Sequence, residues 1–212
     1  MFRNREDAGR QLALRLREYA GSNVILLAIP RGGVAVAAEV SAALNVPLDL
    51  VIPRKIGAPQ NEELAIGAVA GEGELIIDKD LAARLGVSKE YLDRAVNIQL
   101  AEISRRRLLY MGDRPPPDVS GRVAIIIDDG LATGSTALAA IREVKSGNPS
   151  KLLLAIPVAP RETINRIAAE VDELICLAVP GDFSAVGQFY QEFEQVSDDE
   201  VVAIMDRLKR SA

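Results

Sequence analysis

Residues 123–136, Val-Ala-Ile-Ile-Ile-Asp-Asp-Gly-Leu-Ala-Thr-Gly-Ser-Thr, decide the fold. The apolar run 123–127 lacks polar alternation and is too short for a helix, so it reads as a strand buried on both faces. At its end stand two adjacent carboxylates, Asp128 and Asp129, then a turn of glycines and hydroxyls, then a helix-period run over 137–144. That order sets the turn at a helix N-terminus, where N–H groups without intrahelical partners and the positive dipole end favour a phosphate. Gly130 and Gly134 permit close backbone approach, and Thr133, Ser135 and Thr136 add hydroxyl donors.

Upstream the pattern recurs. An apolar run at 24–29 leads through Pro30-Arg31-Gly32-Gly33 into a helical segment at 34–44, which makes a second anion site with Arg31 as its fixed charge. A third short strand at 48–52 ends in Pro53 and the adjacent cations Arg54 and Lys55. Residues 64–69 and 74–77 look like a two-stranded ribbon, and 78–112 like a mainly helical insertion capped by Asp78 and Ser88 and stopped by Gly86 and Gly112. Arg105, Arg106 and Arg107 fall around a helix and are expected on a solvated face. Downstream, a strand at 151–156 is expected to break at Pro157, a helix follows at 161–170, and another strand occupies 173–178. Ser197 and Glu200 form a capping box that opens a last helix at 201–210. An N-terminal helix over 5–19 covers the whole.

Five short strands alternating with helices predict an α/β doubly wound parallel sheet in a single domain, 1–212, with ligands beyond the strands' carboxyl ends. A small C-terminal hood follows the last strand, where Phe183, Phe189, Tyr190 and Phe193 gather. Phe183, Phe189 and Tyr190 are the candidates for stacking on a flat base, Phe183 provisionally the most exposed; a small hydrophobic cluster would use the same rings.

Composition narrows the chemistry. The 212 residues are 49% hydrophobic with a net charge of −5, and the only basic run is 105–107, so nucleic acid is not the expected partner. No histidine occurs, which removes Ser-His-Asp and Cys-His schemes and histidine-ligated zinc. The single cysteine, Cys176, cannot form an intramolecular disulfide and fits a reducing compartment. No apolar segment has the character of a signal peptide or a membrane span, so a cytoplasmic protein without membrane attachment is expected, and a homo-oligomer stays open.

Two carboxylates beside a phosphate cradle need either hydroxyl donors or a divalent cation, and a ribose 5-phosphate supplies both ends of the match. Here the stretch 123–136 resembles the signature of the type I phosphoribosyltransferases. The resemblance implies Mg²⁺-dependent transfer of ribose 5-phosphate from phosphoribosyl pyrophosphate to a nitrogenous base, with pyrophosphate released, as in nucleotide salvage. It gives Asp128 and Asp129 to the ribose and the catalytic role, and Gly130, Leu131, Ala132, Thr133, Gly134, Ser135 and Thr136 to the 5-phosphate. Arg31, Gly32, Gly33, Arg54 and Lys55 go to the pyrophosphate, and the ribbon becomes a mobile loop. No side chain is assigned directly to Mg²⁺, which phosphoribosyl pyrophosphate would mainly hold, with water between it and the acid pair. The Arg-Lys-x-Gly-x-Pro wording at 54–59 is similar to adenine-type members, and alanine at 132 replaces an aspartate that hypoxanthine-guanine members carry. An adenine-like acceptor is therefore favoured over a 6-oxopurine. The alternative is a non-catalytic regulatory protein that binds phosphoribosyl pyrophosphate as a signal.

Overall fold

The computed structural model describes residues 1–21, 23–71 and 74–209. In chain order the elements are α1 (Arg5–Arg15), β1 (Val24–Ala28), α2 (Gly32–Leu44), β2 (Leu48–Leu50), β3 (Arg54–Ala58), β4 (Asn61–Ala70), β5 (Glu74–Ile77), α3 (Lys79–Arg84) and α4 (Lys89–Met111). Then come β6 (Val123–Ile127), α5 (Ser135–Ser146), β7 (Lys151–Val158), α6 (Arg161–Ile167), β8 (Glu173–Ala178) and α7 (Asp198–Lys209).

Five strands make one parallel sheet in the order β2-β1-β6-β7-β8. Both of its faces are covered, which is why its strands read as unbroken apolar runs. Leu26, Ala28, Ile125, Ile127, Leu153 and Ala155 point into one core with Leu12 of α1, Leu16 just after it, and Val36 and Val40 of α2. Ile25, Leu27, Ile126, Leu154 and Ile156 point into the other with Ala137, Ile141 and Ile167. Helices α1 and α2 approach closely because position 9 is glycine: a Cβ there would lie 2.5 Å from the Val36 carbonyl oxygen. The order of strands reverses between β1 and β6, so the turns after those two strands open onto one crevice.

A second sheet, β3-β4-β5, is antiparallel. It has three strands where a two-stranded ribbon was expected. Arg54–Ala58 lacks an apolar pattern of its own and becomes a strand through pairing with β4, Arg54 opposite Val69 and Lys55 opposite Ala68. Pro157 does not end β7 either; the β7–β8 pairing steps from Ile156–Cys176 to Val158–Ala178 over the proline, which has no N–H to give. The N-terminal helix stops at Arg15 and continues only as a 3₁₀ turn over Arg17–Tyr19.

The insertion is helical as expected. Asp78 and Ser88 cap α3 and α4 by accepting from Leu81 N–H at 2.9 Å and Tyr91 N–H at 3.2 Å. Helix α4 buries Ile103, Tyr110 and Met111 in the core shared with β3, β4 and α7. The capping box before α7 is present: Ser197 N–H donates to Glu200 Oε2 at 2.6 Å and Glu200 N–H to Ser197 Oγ at 3.1 Å. Among the described residues no helix is long and apolar enough to cross a membrane.

Candidate active site

The turn after β1 and the turn after β6 are in contact. Gly32 is the first residue of α2, and a Cβ built on it would lie 1.9 Å from Asp129 Oδ2; one on Gly33 would lie 2.9 Å from Asp128 Cα. Only glycine admits this approach, so the Arg-Gly-Gly turn and the acid pair belong to one site.

Both acids are held, Asp128 by its own neighbour and Asp129 by a group far away in sequence. Asp128 Oδ1 accepts from the Asp129 N–H at 2.8 Å. Asp129 Oδ2 accepts from Arg5 Nε at 2.8 Å in a pair whose side chains are only 11% and 16% exposed. Arg5 is fixed in turn: its Nη1 donates to the Glu194 carbonyl at 2.7 Å, and its guanidinium lies 3.9 Å from the centre of the Phe193 ring. Burial pushes the Asp128 carboxyl well above its ordinary value, and the Asp129 charge pushes the same way. Burial also raises Asp129, with Arg5 opposing it.

Beyond the acids the chain turns into α5 as expected. Gly134, at φ 71°, is the residue before the helix, and a Cβ there would strike Ile167 Cδ1 at 2.6 Å. Thr163 of α6 braces the turn by donating to the Ala132 carbonyl at 2.5 Å. Thr133 is exposed, with its Oγ1 3.5 Å from Ser135 Oγ, and Ser135 and Thr136 begin the helix. Leu131 departs from its expected role. Its side chain is 2% exposed in the core and its N–H donates to the Val158 carbonyl at 2.9 Å, so it anchors the turn and offers nothing to a phosphate.

The predicted cations are only partly brought together. Arg31 reaches Asp198 at the start of α7, 3.5 Å away. Arg54 is half-buried against α4, its Nε donating to Gln99 Oε1 at 3.0 Å. Lys55 is exposed and leaves the opposite side of β3 from Arg54, because successive strand residues face opposite ways. The expected solvated face at 105–107 is also largely filled: Arg106 is 16% exposed and bonds Glu102 at 2.7 Å, and Arg107 lies 4.0 Å from Asp49.

The hood aromatics divide. Tyr190 is 6% exposed, packs on Phe2 at 5.4 Å between ring centres, and donates its hydroxyl to the Asp129 carbonyl at 2.6 Å, so it is a brace and not a stacking surface. Phe193, at 36% exposure, is the one that stands among the exposed large hydrophobics, rather than Phe183. Phe183 and Phe189 stack on each other at 5.4 Å and remain part-exposed. The N-terminal segment ties this hood down: Phe2 N–H donates to Phe189 O and Gln191 N–H to Phe2 O.

A parallel sheet with an acid pair and a hydroxyl-rich helix-start turn at its carboxyl edge suits a phosphorylated sugar. The chain belongs to the phosphoribosyl transferase domain family, whose model matches residues 2–193. Curated sequences from two Mycobacterium tuberculosis strains, each provisionally named a phosphoribosyl transferase, are 43% identical over 210 residues, 99% of this chain. The chain spans about half the length of those relatives, 47%. The crystal structure of TT1426 from Thermus thermophilus is 38% identical with a TM-score of 0.82, covering 98% of both chains. AQ2163 from Aquifex aeolicus shares the fold at 15% identity, with a TM-score of 0.53 over 86% of this chain and 78% of its own.

Proposed function

We propose that the chain acts as one phosphoribosyltransferase unit that moves ribose 5-phosphate from phosphoribosyl pyrophosphate to a ring nitrogen of a base, releasing pyrophosphate. The observation that carries this reading is the contact of Gly32 and Gly33 with Asp129 and Asp128, which joins an anion turn to a sugar-binding acid pair. The 5-phosphate takes the N–H and hydroxyl groups of residues 132–136, as at other helix N-termini. Asp128 and Asp129 accept the ribose hydroxyls and face the anomeric carbon as positive charge develops there. Arg31 and Arg54, with the glycine N–H groups at 32 and 33, face the leaving pyrophosphate. Positioning and fixed charge supply most of the rate.

Among the described residues no three His, Cys, Asp or Glu side chains converge on a point. The acid pair nonetheless fits a divalent ion that takes most of its ligands from pyrophosphate oxygens and water. When bound, Mg²⁺ neutralises charge on the leaving group.

Two expectations test the roles. Phosphoribosyl pyrophosphate affinity should fall, as pH is lowered, at values above the ordinary carboxylate range of about 4. Raised pKa values mean that the acids take up protons early, and a protonated acid accepts fewer hydroxyls. An acid limb at or below the ordinary value would remove the buried pair from binding. At the hood, Phe183→Leu should raise the acceptor's KM more than that of phosphoribosyl pyrophosphate, by about 0.5 to 1.5 kcal/mol of lost stacking. A lower melting temperature with both constants unchanged would show that the Phe183–Phe189 pair only packs.

An adenine-like acceptor is favoured over a 6-oxopurine by alanine at 132, and the part-exposed ring pair offers a flat base a stacking surface. A screen of purine and pyrimidine bases with phosphoribosyl pyrophosphate and Mg²⁺, read by pyrophosphate release, tests the activity. Tight binding of phosphoribosyl pyrophosphate with no turnover on any base would favour the regulatory alternative.

A further inference from the structure

Around Asp198 the structure gathers more positive charge than its own acids neutralise. Arg31 Nη1 is 3.5 Å and Arg105 Nη2 3.7 Å from its two carboxylate oxygens, and the Tyr110 hydroxyl donates to Oδ1 at 2.6 Å. Arg105 and Arg106 both bond Glu102 at 2.7 Å. Arg54 enters the same neighbourhood with a neutral amide, Gln99, as its hydrogen-bond partner. Among the described residues four guanidiniums therefore meet two carboxylates, Glu102 and Asp198, leaving two positive charges in excess in a place that is part-buried at Arg31, Arg54 and Arg106 and more open at Arg105. Such an excess costs free energy unless an anion completes it. Burial holds Arg54 below its usual value, with Arg106 and Arg31 adding repulsion. Asp198 is held below its own, first by the Tyr110 hydroxyl and further by Arg106 and Arg31.

We propose that Arg106, carried by the helical insertion, is a phosphate-binding residue of the pyrophosphate pocket beside Arg54 and Arg31, and that Asp198 is the internal anion which an incoming oligophosphate displaces. This rests on the reading that Arg31 faces pyrophosphate. Position is the first argument: Gly32, next to Arg31, touches Asp129, so the cations continue the crevice outward from the sugar acids. The second is the character of the contacts. Glu102 makes close bonds at 2.7 Å, suited to a permanent partner that orients Arg105 and Arg106, whereas the ion pairs of Asp198 are loose, at 3.5 and 3.7 Å. A third is the burial of Arg106, 16% exposed, while Arg94 on the same helix is exposed. Helix α4 is then part of the binding machinery as well as a cover.

The test measures calorimetric affinity for inorganic pyrophosphate and for ribose 5-phosphate, with melting temperatures, on the full chain. Arg106→Ala should weaken pyrophosphate about tenfold or more, equivalent to about 1.4 kcal/mol. Ribose 5-phosphate should stay within about twofold, Arg106→Lys should recover part of the loss by keeping the charge, and Arg17→Ala, at an exposed arginine in the turn after α1, should change neither ligand. Asp198→Asn keeps an oxygen for Tyr110 but removes the competing charge, so pyrophosphate should bind several-fold tighter. Unchanged pyrophosphate affinity in Arg106→Ala overturns the proposal, as does parallel weakening of both ligands with a lower melting temperature, which marks a packing role. Should Arg106→Ala not fold, Asp198→Asn decides, and equal or weaker pyrophosphate binding there overturns it. Wild-type protein that binds ribose 5-phosphate but not pyrophosphate refutes this inference, and protein that binds neither refutes the phosphoribosyltransferase reading itself.

Discussion

Asp128→Asn combined with Asp129→Asn is expected to abolish transfer while leaving a folded protein. Asparagine has nearly the size of aspartate, and its Oδ1 at 128 still accepts the backbone N–H of position 129 that now closes the turn at 2.8 Å. What disappears is charge. Burial raises both acids, and at Asp128 the Asp129 charge adds to it, so their removal relieves a desolvation cost, and this offsets the loss of the partner that Arg5 now has at 2.8 Å. The melting temperature should therefore move by only a few degrees. Catalysis has no such compensation, because the developing positive charge at the anomeric carbon loses both of its counter-charges. Losing a single preorganised polar group costs on the order of 10²–10³ in turnover in other enzymes, so losing two should exceed about 10⁴. Pyrophosphate release and the melting curve, measured on one preparation, check both halves. Turnover at the wild-type rate would sink the ribose-site assignment.

The sheet and the two glycine turns were legible because their signals are local. An apolar run without alternation, a Gly-Gly pair and an acid pair before a helix each sit within about a dozen residues. The reversal of strand order between β1 and β6 then makes those turns meet. Arg5 was missed because its partner lies 124 residues away. A signal was nonetheless present: Arg5 shares a helical stripe with Ala8 and Leu12, both fully buried, and a cation on a buried stripe requires a counter-ion. Strand β3 had no such signal, since Arg54–Ala58 is a strand only by virtue of β4 beside it. The aromatic cluster was correctly located but not sorted. Nothing in its spacing tells that Tyr190 braces Asp129 while Phe193 lies on Arg5. The 105–107 arginines misled for a related reason. A charge run on a helix reads as solvated until the fold brings Asp49 and Asp198 to it, whereas its pairing with Glu102 is local to the helix.

Gly32→Ala should separate the site from the fold more sharply than any substitution of a charged group. The added methyl would sit 1.9 Å from Asp129 Oδ2, 2.5 Å from its Cγ and 2.9 Å from Arg5 Nε, and none of these atoms is the loose end of a flexible chain, because Arg5 and Asp129 lock each other at 2.8 Å. Both side chains must shift, and with them the carboxylate proposed to accept the ribose. Displacing a positioned group by about 1 Å costs on the order of 10²-fold, so kcat/KM for phosphoribosyl pyrophosphate should drop by at least that factor. Folding has the opposite incentive. Position 32 opens α2, and alanine is preferred over glycine in helices by up to about 1 kcal/mol, which offsets the strain at the acid pair. A near-normal melting temperature with activity reduced about 100-fold or more, about 2.7 kcal/mol in the barrier, is the expected pair of results. Gly181→Ala serves as the control, since a Cβ there meets nothing within 4 Å and both quantities should be unaffected. If Gly32→Ala instead turns over normally, the Asp129 carboxylate is not needed where it stands, and the contact between the two turns is packing rather than chemistry.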